Sequence, residues 1–331
     1  MLFSNPVRAL PSALCCLVLL SLHAQAATIP IRDCRLGIRD SYYWENTSEA
    51  SPPVQQPTPT ESTVRIPWKP SSTATPTALG TGSNRGSGKV EVMIPFYMYP
   101  GEGAWAPMEQ LVTNNSNVKF TVIINPSSGP GSGSLPDDNW RKAIPKLAAH
   151  SNVLVIGYVS TSWGNRAISD VERDIKTYAE WPSASGDSSF AVHGIFLDEG
   201  PAEADRAKVQ YYKQLVSLIK GSSGLGNQYV VMNPGTVPDT SYLDIPDSSV
   251  IFESPYSKFQ EQIAAHAFDS IQNVDRARLA TMVTSVTQGT DLSSLVSQLR
   301  SISGHIYLTN LDSYLEYCSS WDEVARLVAI N

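Results

Sequence analysis

Three acidic residues stand where apolar runs stop. Gly194-Ile195-Phe196-Leu197 leads into Asp198 and Glu199, and Gly200-Pro201 then breaks the chain. Val250-Ile251-Phe252 leads likewise into Glu253, ahead of Ser254-Pro255-Tyr256. A carboxyl that ends a buried segment is a candidate proton donor, because partial burial disfavours its charged form. A second carboxylate beside it can serve as nucleophile or base. Glycosidic cleavage needs such a pair, and its separation, about 5 Å or about 6.5–9.5 Å, sets retention or inversion. Successive strand residues point to opposite faces, so Asp198 and Glu199 cannot play equal roles. One should face the reaction centre and the other should orient or tune it.

Polar and aromatic residues end the other apolar runs. Tyr97 and Tyr99 follow one, with Trp105 in the loop beyond, and Asn125 ends a second. Tyr158, Trp163 and Arg166 cluster at a third, Asn233 at a fourth, Tyr256 follows Glu253, and Asn310 closes the last. These rings can offer apolar faces to sugar C–H groups and polar tips to hydroxyls. Core packing is the competing use of the same rings. Arg166 can pair with a rim carboxylate or lie on the surface. Gly129, Gly131 and Gly133 mark a loop over the same region.

Other chemistries lack their residues. His150, His193, His266 and His305 form no HExxH or HxH pattern, so the usual zinc hydrolase ligands are missing. No GxSxG nucleophile elbow occurs. Gly88-Lys89 imitates a phosphate loop, but Ser83 stands where that motif needs Gly and Val90 where it needs Ser or Thr. No metal or organic cofactor is implied. A net charge of -7 and a pI near 5.3 argue against nucleic acid as a partner.

The elements that must position these residues follow a regular alternation. Apolar, β-rich runs occupy Val90–Tyr99, Val118–Asn125, Val153–Ser160, Val192–Glu199, Tyr229–Gly235, Val250–Tyr256, Leu279–Val286 and His305–Leu311. Between them, Ala167–Trp181, Ala204–Lys220, Leu292–Ile302 and Trp321–Ile330 carry apolar residues at helical spacing. Asp170 and Ser319 lie near helix starts, where acids and capping oxygens satisfy free N–H groups. Eight such strands in about 240 residues fit a (β/α)8 barrel, which takes about 250. The strands are apolar throughout, as strands covered on both faces should be. A doubly wound open sheet is the alternative, and the count of eight favours the barrel. In a barrel the C-terminal strand ends share one rim, where chemistry sits. Asp198 and Glu199 lie two strands from Glu253, and one of the two would then meet it across a sugar.

Upstream of residue 90 the chain is of another kind. Arg8, the apolar run Ala13–Leu22 and Ala24-Gln25-Ala26 read as a secretory signal peptide, residues 1–26. An uncleaved signal anchor is the alternative, although the run is shorter than the roughly 20 residues a bilayer needs. The mature protein is expected to be secreted or cell-wall associated, without stable membrane insertion. A short segment, 27–45, precedes a Pro/Ser/Thr-rich stretch, 46–89, that reads as a disordered linker. Cys15 and Cys16 leave with the signal. A disulfide between Cys34 and Cys318 would pin the N-terminal arm to the barrel's end. Asn46 and Asn114 open glycosylation sequons.

Six ordered blocks, "IPFYMYPGEGAW", "FTVIINPSSGPG", "NVLVIGYVSTSWGNR", "GIFLDEGP", "MNPG" and "VIFESPY", resemble the spherulin-4 family, glycoside hydrolase family 135. The resemblance runs from about Val90 to the C-terminus. It implies a (β/α)8 barrel in a secreted or cell-surface fungal glycosidase. The implied substrate is α-1,4-linked N-acetylgalactosamine within galactosaminogalactan, a biofilm polysaccharide. Carried over by motif, the family's acidic set falls on Asp198, Glu199 and Glu253. Trp163 departs from the pattern, which has Tyr there, and the long linker departs too. An N-acetyl substrate also permits its own carbonyl to act as nucleophile, with an Asp orienting it. Two alternatives stay open: a non-catalytic wall or spore-coat barrel that binds glycans, and a glycosidase of this fold acting on another galactose or galactosamine glycan.

Overall fold

The computed structural model describes residues 89–330. The expected signal peptide, the segment 27–45, the linker up to residue 88, Cys34 and the Asn46 sequon lie outside the described residues. The strands are β1 (Glu91–Pro95), β2 (Phe120–Ile124), β3 (Val153–Ser160), β4 (Gly194–Asp198), β5 (Tyr229–Met232), β6 (Ser248–Pro255), β7 (Leu279–Thr284) and β8 (His305–Leu308). They close in chain order into one barrel, each parallel to its neighbours, with β8 pairing back onto β1 through Glu91 opposite His305 and Val92 opposite Ile306. The helices are α1 (Ala106–Asn114), α2 (Asp138–Ala148), α3 (Ile168–Ser185), α4 (Arg206–Gly221), α5 (Thr240–Leu243), α6 (Tyr256–Ala264), α7 (Leu292–Ile302) and α8 (Ser320–Ala329). Among the described residues no helix is long and apolar enough to cross a membrane.

Each strand alternates between the barrel interior and the helical shell. Tyr158 and Phe196 stack across neighbouring strands inside the barrel, ring centroids 6.3 Å apart. Gly157, the residue before Tyr158, points the opposite way and faces α3; a Cβ there would lie 2.7 Å from the Tyr178 ring. The missing side chain lets that helix sit close. In β6 the alternation is interrupted. Val250 opposes Ala280 and Phe252 opposes Thr281, which leaves Ile251 as an extra residue. Such a bulge re-aims the side chains that follow it. Phe252 therefore packs on Phe259 and Phe268 outside the barrel, and Glu253 turns to the inside.

Several strands are shorter than the apolar runs at their C-terminal ends. β1 stops at Pro95, β5 at Met232 and β8 at Leu308, because the next residues leave the ladder to build the rim. α1, α2 and α6 lie outside the four helical segments expected from the sequence; in α2 the buried Trp140, Ile144 and Leu147 recur at helical spacing. Helix starts are satisfied mainly by aspartates: Asp137, Asp205 and Asp291 each accept backbone N–H groups of their own first turns. Ser319 precedes α8 without a side-chain cap, and Asp170 lies in the first turn of α3, bonded to Arg173 at 2.8 Å.

Candidate active site

The barrel mouth gathers Asp198 at the end of β4, Glu253 in β6 and Asn233 just past β5. Asn233 Nδ2 donates to Asp198 Oδ1 at 2.7 Å and also to Glu253 Oε2. One amide nitrogen thus holds both carboxylates. The same amide is fixed from behind, because Gly235 N–H donates to its Oδ1 at 3.0 Å. That bond settles which end of the side chain is the donor. The tight Asn233-Pro234-Gly235 turn locks the rim further: Gly200 N–H donates to the Asn233 carbonyl at 2.7 Å and Glu253 N–H to the Gly235 carbonyl at 3.0 Å. Gly235 takes φ +65 in this turn, a region that favours glycine.

Tyrosines surround the pair. Tyr314 donates to Glu253 Oε1 at 2.5 Å, and Tyr158 donates to Asp198. Tyr97 packs edge-on against both Tyr158 and Tyr314, centroids 5.6 Å away in each case. Burial raises the Tyr97 hydroxyl well above 10, and the charges of Asp198 and Glu253 add to the shift. Asp198 itself is raised from 3.8 to about 7, first by burial and then by the charge of Glu253, against the opposing hydrogen bonds from Glu199 N–H, Tyr158 and Asn233. The arrangement can therefore offer a proton from Asp198 near neutrality beside the Glu253 carboxylate.

Glu199 goes elsewhere. Its backbone turns left-handed, φ +55, and its Oε2 accepts from Ser160 Oγ at 2.5 Å and Ser162 N–H at 3.1 Å. The acidic dipeptide thus splits, Asp198 toward Glu253 and Glu199 toward the β3–α3 loop. Trp163 sits in that loop, 52% exposed, with its N–H on the Glu199 carbonyl at 2.7 Å.

The remaining candidates take other positions. Trp105 is buried against Phe96 and Trp140 and donates its indole N–H to the Met98 carbonyl at 3.0 Å. It is core, and no ring face is left for a sugar. Arg166 bonds Asp174 at 2.5 Å and the Ser160 carbonyl at 3.0 Å, so it braces the loop to α3 and meets none of the three acids. Asn125 accepts from Gly129 N–H at 2.9 Å, which pins the glycine-rich loop. Tyr99 is half exposed, donates to Asp137 at 3.2 Å and rests on Trp140. Tyr256 opens α6 half-buried against the core. Asn310 accepts from the buried Cys318 thiol, closing the loop after β8. That loop carries Tyr314, whose carbonyl also accepts from Tyr97 N–H at 3.1 Å. Tyr314 lies six residues beyond the end of β8, so no strand end marks it in the sequence. The aromatic cluster Tyr314, Tyr317 around β8 was its signal. The Asn114 sequon lies exposed at the end of α1.

The chain matches the model of "Spherulation-specific family 4" over residues 91–328. Spherulin-4 of Physarum polycephalum is 39% identical over 177 residues, 53% of this chain and 48% of that protein; the chain thus spans about half the length of this curated relative. Aspergillus clavatus Sph3, whose crystal structure is in complex with GalNAc, is 44% identical, with a TM-score of 0.71 over 73% of this chain and 98% of Sph3. Since the family match takes in every strand of the barrel and the rim that carries Asp198, Asn233 and Glu253, the chain belongs to spherulation-specific family 4.

Proposed function

We propose that this chain is an exported glycoside hydrolase that cleaves α-1,4-linked N-acetylgalactosamine in a galactosaminogalactan-type polysaccharide. The observation that carries this reading is the Asn233 amide shared by Asp198 and Glu253. The GalNAc held by Sph3 supports the sugar class, and the N-terminal apolar run supports export. Asp198, with its ordinary value lifted to about 7, donates a proton to the glycosidic oxygen. Glu253, oriented by Tyr314 and Asn233, attacks the anomeric carbon and forms a glycosyl ester. Asp198 then takes a proton from the water that hydrolyses the ester. Two carboxylates sharing one hydrogen-bond donor lie within about 6 Å. That spacing favours the retaining geometry of about 5–5.5 Å over the about 6.5–9.5 Å that leaves room for an inverting water.

The test is turnover of purified galactosaminogalactan, with products read by mass spectrometry and their anomeric form by NMR. Asp198→Asn and Glu253→Gln should each remove turnover by about a thousandfold or more while far-UV circular dichroism stays unchanged. Wild-type rates in either variant would overturn the assignment. Binding without product in the wild type would make the barrel a glycan-binding protein instead.

A further inference from the structure

The turn that follows β3 has features the reacting pair does not use. Ser162, Trp163 and Gly164 are consecutive residues with left-handed backbone, φ +47, +54 and +73. Such conformations are unfavourable for side-chain-bearing residues and persist where the surroundings enforce them, most often at functional sites. The enforcement here comes from β4. Thr161 N–H and Oγ1 both bond the Asp198 carbonyl, at 3.1 and 2.7 Å. Trp163 N–H bonds the Glu199 carbonyl at 2.7 Å, and the Glu199 carboxylate bonds Ser160, Ser162 N–H and the Ser162 hydroxyl. From behind, a Cβ on Gly164 would meet Lys208 and Tyr212 of α4 at 3.4 Å. The chain next to the acids is thus clamped from both sides.

What the clamp displays is an indole in water. Trp105, Trp140, Trp181 and Trp321 are all at most 3% exposed, whereas Trp163 is 52% exposed. A lone exposed aromatic on a surface needs no explanation. One held in a strained turn, on the rim and tied to the residue after Asp198, does. Galacto-configured sugars carry their axial O4 on one face and leave the C–H groups of C3, C4 and C5 on the other. That apolar face fits a flat indole.

We infer that Trp163 is a stacking subsite for a sugar ring of the glycan chain away from the cleaved bond, and that Glu199 is the positioning residue that holds its turn. The inference rests on the proposed substrate class and assigns Glu199 a role apart from proton transfer. It makes Trp163 a determinant of chain-length preference.

The experiment uses the full chain carrying Glu253→Gln, so that ligand is bound and not consumed. The probes are a defined α-1,4-linked N-acetylgalactosamine heptasaccharide and free N-acetylgalactosamine, titrated by calorimetry and tryptophan emission. Adding Trp163→Ala should weaken heptasaccharide binding about tenfold and monosaccharide binding less than threefold, and should abolish the emission shift on heptasaccharide binding. Trp163→Tyr should restore most of the affinity. Glu199→Ala should cost the same factor as Trp163→Ala, and the two together should cost no more than one alone, because both act through one contact. Glu199→Gln, which keeps an acceptor for Ser162 N–H, should lose less. Unchanged heptasaccharide affinity in Trp163→Ala overturns the subsite alone, and additive losses overturn the role given to Glu199. Failure of the Glu253→Gln parent to bind either sugar overturns the substrate reading and the subsite with it.

Discussion

Asp198→Asn should stabilise the folded protein at alkaline pH while removing its chemistry. The folded site lifts Asp198 from 3.8 to about 7, through burial first and the Glu253 charge second. Below pH 3.8 the carboxyl is protonated in folded and unfolded chains alike, and its stabilising preference for the folded state is fully present. As pH rises toward 7 the unfolded chain releases this proton and the folded chain keeps it. Stability then falls by about 1.4 kcal/mol per pH unit, and the loss is complete above about 7. Three units make the whole effect on the order of 4 kcal/mol. An asparagine never ionises and escapes this loss. Its single amide oxygen can accept at most two of the three bonds that Asp198 takes from Glu199 N–H, Tyr158 and Asn233, a cost of about 1 kcal/mol that does not vary with pH. Denaturant unfolding of both proteins at several pH values reports the Asp198–Glu253 pair, because groups away from that pair largely cancel in the difference. The variant should gain about 3 kcal/mol on the wild type between pH 5 and pH 8, ending the more stable of the two. A difference that is flat to within about 1 kcal/mol over that range would show that Asp198 is not held protonated, and the argument for it as proton donor would fail.

Further outcomes follow from the same contacts. Turnover should fall as pH rises through about 7, as Asp198 loses its proton, and Tyr158→Phe should move this limb to higher pH by removing a hydrogen bond that lowers Asp198; a pH profile of kcat/KM checks both. Tyr314→Phe removes the 2.5 Å bond that orients Glu253, so kcat should drop about ten- to a hundredfold with KM little changed in steady-state assays. Gly157→Ala places a methyl 2.7 Å from the Tyr178 ring and should destabilise by about 1–3 kcal/mol in urea unfolding without moving the pH profile.

The barrel is legible in the sequence because strands covered on both faces read as unbroken apolar runs, and all eight emerge where such runs lie. The split between Asp198 and Glu199 is legible too, from the alternation of a strand. The phase of β6 is not. Val250 and Glu253 are an odd number of residues apart and by alternation should face opposite ways. The extra residue Ile251 brings Glu253 into register with Met282 on the inner side. Trp105 misleads for a different reason. Loop aromatics near a rim look alike in sequence, and only the bond from its indole to Met98 shows this one turned inward. Arg166 likewise has as its partner Asp174, eight residues on in the second turn of α3, away from any strand end. Tyr314 belongs to a loop whose path is set by Cys318, Asn310 and Tyr97, contacts far apart along the chain.

The neighbour of Asn233 has a chemical consequence for the life of the protein. Asparagine ages to aspartate when the next backbone nitrogen attacks the side-chain carbonyl and closes a succinimide. Here the next residue is Pro234, whose nitrogen has no hydrogen to give up. That slow route, which would leave a third carboxylate wedged against Asp198 and Glu253, is closed by the covalent structure of the turn itself.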